Sequence, residues 1–174
     1  AFGRVVAETT AGQDGTFRFG GIDAETVSVY ARPWARNTEL SVSPLGEVSF
    51  ADGAAAITKR VHRQNRGFSL AAIGLNGLLS DAALRMVPGQ TYNVILGGDR
   101  LTADGIDVFT SSPYFSIDRS TIRDLDYGDG ISAVSFVISI DESAPPGNYS
   151  IFAADRTGAT DALPGAITVA AARR

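Results

Sequence analysis

The densest set of potential ligands in the chain is Asp124-Leu125-Asp126-Tyr127-Gly128-Asp129-Gly130. Alternate carboxylates with glycines for a sharp bend suit a Ca²⁺ loop, because a hard cation takes six or more oxygens from a small volume. Asp124, Asp126 and Asp129 are the candidate calcium ligands, with Asp104 and Asp107 available from a neighbouring loop. The spacing departs from an EF-hand: Gly128 and Asp129 are transposed, and Ser135 holds the place of the bidentate Glu. The competing expectation is a solvated hairpin turn in which Asp and Gly satisfy the backbone, and then the chain holds no cofactor. A second group is aromatic. Trp34, in Arg32-Pro33-Trp34-Ala35-Arg36, and the pair Tyr114-Phe115 fall at or near expected strand ends, as do Tyr30 and Tyr127, where a sugar ring could stack. Trp34, Tyr114 and Phe115 are the candidate ligand-binding residues; core or interface packing is the alternative for a lone Trp.

Templates for catalysis fail in turn. There is no Cys, so no disulfide, thiolate metal site or thiol nucleophile, and the single histidine, His62, removes every two-His zinc pattern. No G-x-S-x-G elbow, P-loop or dinucleotide fingerprint occurs. Paired carboxylates for glycoside cleavage could be assembled only in space, and Asp118, Asp124 and Asp141 fall beside turns, where solvation accounts for them. No catalytic residue is assigned, and an enzyme is not expected.

The elements that would position these groups read as strands. The chain has 174 residues, 44% of them apolar, which suits one large domain or two small ones. Its net charge of −4 makes it a poor ligand for nucleic acid or anionic membranes. The longest apolar charge-free stretch, 67–80, is shorter than the roughly 18–20 residues that span a bilayer, so no membrane insertion is expected. The chain starts at Ala1 without a basic-then-apolar leader, so an export signal is expected to have been removed or left out. Nineteen Gly and seven Pro are scattered, as many short strands joined by turns require.

Alternation predicts strands over 15–22, after a Gln13-Asp14-Gly15 turn, and over 26–31. Weaker strands are expected at 39–43, 47–51 and 55–61, with turns at Ser43-Pro44-Leu45-Gly46 and Ala51-Asp52-Gly53. The polar run Lys59–Arg66 marks a linker at 62–67. Beyond it, strands are expected at 67–75, 90–97, 106–110, 114–117, 131–140, 148–154 and 166–170, with a turn or two of helix at 79–86. In 131–140, Val134, Phe136, Ile138 and Ile140 fill one face. The fold class is all-β, two small β-sandwich units, the second immunoglobulin-like.

Residues 9–31 resemble the carboxypeptidase regulatory-like family, a transthyretin-like sandwich with the motif T-x-x-x-G-x-F-x-F-x-x-L then G-x-Y-x-V-x-A. Gly15, Phe17, Phe19, Ile22, Val29 and Ala31 match, whereas Glu25 and Val27 replace its Gly and Tyr. Residues 68–170 resemble bacterial immunoglobulin-like modules of the IPT/TIG kind, through Val87-Pro88-Gly89-Gln90-Thr91-Tyr92, Gly97-Gly98-Asp99-Arg100-Leu101, Ala144-Pro145-Pro146-Gly147-Asn148-Tyr149 and Leu163-Pro164-Gly165-Ala166-Ile167. In such sandwiches, a tyrosine placed like Tyr149 ties its hydroxyl back to the preceding loop. The units implied are 1–61, an incomplete or divergent carboxypeptidase regulatory-like sandwich, and 68–170, with a tail at 171–174. The function implied is a non-catalytic spacer or protein-interaction unit of an exported bacterial protein: secreted, periplasmic or at the cell surface. The alternative is a carbohydrate-binding module that takes a polysaccharide partner and structural calcium.

Overall fold

Period-two patterning dominates the structure, a computed structural model that describes residues 5–31, 43–50, 67–80, 82–110, 112–128 and 130–170. Among these, every regular element is a strand. The N-terminal pair is β1 (Thr26–Ala31) and β2 (Ser43–Ser49), antiparallel. Nine more follow: β3 (Ser69–Leu75), β4 (Leu78–Ser80), β5 (Leu84–Met86), β6 (Thr91–Asp99), β7 (Ile106–Thr110), β8 (Phe115–Asp126), β9 (Ser132–Ile140), β10 (Gly147–Asp155) and β11 (Thr160–Val169). Among the described residues, no helix is long and apolar enough to cross a membrane.

Strands β3 to β11 form two sheets in the orders β4-β3-β6-β9-β8 and β5-β11-β10-β7. Read in chain order, β3, β6, β9 and β8 are strands A, B, E and D of a constant-type immunoglobulin sandwich; β7, β10 and β11 are C, F and G. After β4 the chain changes sheets, and β5 pairs parallel to β11. The core between the sheets is filled from β9 by Val134, Phe136, Ile138 and Ile140, as the alternation requires, and from β6 by Val94 and Leu96 with Tyr92 at its margin. Tyr149 is buried, and its hydroxyl donates to the carbonyl of Pro145 at 2.7 Å, the expected tie.

Several expectations are corrected. The helical turns at 79–86 are two short strands in different sheets; the apolar spacing there serves two separate pairings. Ser43–Gly46 is not a turn but the first half of β2, with the register slipping past Leu45 at a bulge, where a proline is tolerated. Leu163-Pro164-Gly165 is likewise a bulge inside β11, where Gly165 takes a φ of 64° and its N–H donates to Ser150 Oγ. Residues 16–24 join no strand, yet Phe17 and Phe19 pack with Val27, Val29, Val48 and Phe50 in a small cluster of their own. The strands expected at 39–43 (apart from Ser43) and 55–61, the turn at 51–53, linker positions 62–66 and the tail at 171–174 lie outside the described residues.

Candidate functional site

The stretch from Asp124 to Asp126, expected as a loop, is instead the end of β8, which is longer than alternation indicated. Between Asp118 and Arg123 the strand bulges, so that five steps on β8 match two on β9 and the pattern breaks. Thr121 repairs the ladder: its hydroxyl donates to the Asp118 carbonyl at 2.6 Å and accepts the Val137 N–H at 2.8 Å. Asp124 pairs across from the core residue Val134, and its Oδ1 accepts the N–H of Ala103 at 2.7 Å, tying the edge strand to the loop before β7. Asp126 Oδ1 accepts the Gly128 N–H at 3.2 Å. Asp129 lies outside the described residues. Of the supplementary acids, Asp107 binds Arg119 at 2.9 Å, and the Asp104 carbonyl accepts from Arg156 at 2.7 Å. Among the described residues, no three His, Asp or Glu side chains gather closely enough to hold a metal.

The aromatic candidates among the described residues are drawn into packing contacts and hydrogen bonds. Phe115 is a core residue, 9% exposed, its ring centroid 4.9 Å from that of Tyr149. Its place at the start of a strand suggested exposure, but it faces Ile140 across the ladder and shares that residue's inward side. Tyr114 is half-buried against the same core. Tyr127 is half-buried too, and its hydroxyl accepts the Leu79 N–H at 2.9 Å, so the β8–β9 loop reaches the β3–β4 hairpin. Tyr30 is the exposed member, and it leans on Phe152 with centroids 5.3 Å apart. Trp34 lies outside the described residues.

Sequence reasoning missed a repeated device, Asp-x-Ser/Thr, that was visible in the sequence. Asp14, Asp118, Asp141 and Asp155 each accept both the N–H and the hydroxyl of residue i+2 through Oδ1. In Asp14, Asp141 and Asp155 these bonds favour the charged form. The Thr16 N–H, then its hydroxyl, holds Asp14 below the ordinary carboxylate value of 3.8. The Ser143 hydroxyl does so first for Asp141, and the Thr157 hydroxyl first for Asp155.

Asp161 is the buried acid. Oδ2 accepts the Leu70 N–H at 2.8 Å and Oδ1 the Ala162 N–H at 3.0 Å, so one carboxylate joins β3 of one sheet to β11 of the other. Nothing in the local sequence signalled it, because the partner strand is 91 positions away. Among the described residues, every buried side-chain polar atom has a partner.

The surface offers shallow grooves. One of about 210 Å³ lies on the five-stranded sheet between Leu79, Gly97, Gly98 and Ile131; another, of about 410 Å³, runs beside Val5–Glu8, Asn148 and Pro164. Neither is lined by converging carboxylates.

Strand order, register and the tyrosine tie define an immunoglobulin-type β-sandwich. Compared with known proteins, the chain matches no family model and no curated protein. Among solved structures, it aligns with a chain of a type I cohesin–dockerin complex from Clostridium thermocellum, at 12% identity and a TM-score of 0.29, over 59% of this chain and 99% of that one.

Proposed function

We propose that the chain is a non-catalytic β-sandwich module of a larger exported bacterial protein, secreted, periplasmic or at the cell surface, acting as a spacer or protein-interaction unit. The observation that carries this reading is the use of its carboxylates. Asp14, Asp141 and Asp155 cap turns, Asp118 caps the β8 bulge, Asp124 ties down an edge, and Asp161 joins the sheets. A general acid or base requires a carboxyl aimed at a space a substrate can enter, and these acids are aimed at backbone N–H groups. Binding then falls to strand edges and loops, as in other sandwiches, and the net charge of −4 disfavours nucleic acid.

The division proposed is an N-terminal unit at 1–61, of the carboxypeptidase regulatory-like kind, a linker at 62–67 and an IPT/TIG-like unit at 68–170. In its support, the sandwich core begins at Phe68 and ends at Val169, while Val29 and Val48 belong to a separate cluster.

Affinity electrophoresis in gels cast with xylan, glucan or chitosan, with hydrolysis of chromogenic esters and glycosides measured alongside, tests the reading. Unretarded migration and hydrolysis at the solvent rate are expected. Retardation abolished by Trp34→Ala would replace the proposal with a carbohydrate-binding module, and turnover would replace it with an enzyme.

A further inference from the structure

The outer face of the four-stranded sheet carries a row of buried side chains where an outer face normally meets water. Phe152 on β10 stands opposite Phe109 on β7 and Ala162 on β11, and Phe152 and Ala162 are both buried. The Phe109 and Phe152 rings stack 5.3 Å apart at 10° between planes. Tyr30 of β1 continues the stack from the other unit, 5.3 Å from Phe152 at 47°. A second contact lies four residues back along the same strand, about 13 Å at strand spacing, where the Val5 N–H donates to the Asn148 carbonyl at 2.8 Å. Beyond it, Val5–Glu8 line one groove with Pro164 and Gly165 of the β11 bulge.

A single contact makes a pivot; a ring packed against a buried ring resists tilting, and a hydrogen bond about 13 Å away opposes rotation about it. We infer that the N-terminal unit is clamped in a fixed orientation on the sandwich, with Tyr30 as the aromatic plug and Val5–Glu8 as a strap over the β11 bulge. The default for two small units joined by a short linker is relative motion. Here the joint makes the pair one rigid body, and this face of the sandwich is used internally.

The chain has no Cys, so spin labels can be placed at will. Pulsed electron–electron resonance on full-length Asp23→Cys/Ser116→Cys, both positions exposed, should give one narrow distance peak. A broad or multiple distribution in this otherwise unaltered chain overturns the inference, whatever the variants do. Adding Tyr30→Ala should abolish the narrow peak, and Tyr30→Phe should keep it, because ring stacking needs no hydroxyl. Val5→Pro removes only the second contact's donor and should broaden the peak with the circular-dichroism spectrum unchanged. A narrow peak that survives both Tyr30→Ala and Val5→Pro also overturns it.

Discussion

Replacing Asp161 tests how the two sheets are held together at one end of the sandwich. The side chain is 3% exposed, and its two oxygens serve two backbone donors on different strands. Asp161→Ala leaves the buried Leu70 N–H without its acceptor and removes two charge-assisted bonds, a loss of about 3 kcal/mol. Asp161→Asn is nearly the same shape, but an amide has one acceptor oxygen. Its NH₂ must face either Leu70 or Ala162, both donors, so about 2 kcal/mol is lost without any cavity. At a urea m-value of about 2 kcal/mol/M, the midpoint falls by about 1.5 M for Ala and about 1 M for Asn. The exposed Asp23→Asn is the control, expected within about 0.5 kcal/mol of the parent. An Asp161→Asn midpoint within about 0.2 M of the parent would refute the reasoning, since it would mean the second oxygen contributes nothing.

Tyr149→Phe deletes the hydroxyl bonded to Pro145 while keeping the ring against Phe115; urea denaturation should show a loss of about 1 kcal/mol. A Cβ at Gly74 would lie 1.9 Å from the Leu78 carbonyl oxygen, whereas at Gly97 it would meet only the movable end of Leu79. Gly74→Ala should therefore cost upwards of about 2 kcal/mol, and Gly97→Ala about 1 or less, by the same assay. Depressed carboxylates contribute stability that is present above their ordinary value and lost as pH falls through the folded one. The midpoint should thus drop between about pH 5 and pH 2, less steeply in Asp141→Asn/Asp155→Asn, where the turn acceptor remains but does not titrate. Millimolar Ca²⁺ should leave the melting temperature unchanged, because Asp124 and Asp126 already accept backbone N–H groups. A rise abolished by Asp126→Asn would establish a calcium site.

Where a strand has a core on one side and carries no bulge of its own, its bounds are legible in the sequence. Strands β7, β9 and β10 fall within a residue of their expected bounds, and the Tyr149 tie follows from Gly147-x-Tyr149. Legibility failed where side chains substitute for backbone. β8 was expected to stop at 117, because Thr121 fills a gap in its ladder and breaks the period. Positive-φ residues were ambiguous between turn and bulge: Gly15 makes a turn, whereas Gly165 sits inside a strand. The β3–β4 hairpin is signalled by Asn76-Gly77, whose φ angles of 51° and 87° fit a type I′ turn, although it lies inside the apolar run 67–80, expected to hold a single strand at 67–75. Phe115 was misjudged because distance from a turn says nothing about which side of a sheet a residue faces. The inter-sheet role of Asp161 depends on a pairing no local pattern contains.

Carboxyl titration by carbon-13 NMR on the intact chain tests most directly whether its acids are structural. Asp14, Asp141 and Asp155 should titrate below 3.8, Asp14 held there first by the Thr16 N–H and the other two first by a hydroxyl, so that Ser143→Ala and Thr157→Val bring Asp141 and Asp155 back toward that value. A carboxyl found titrating close to neutrality, and moved by a small sugar or ester, would mark a reactive group and contradict the account.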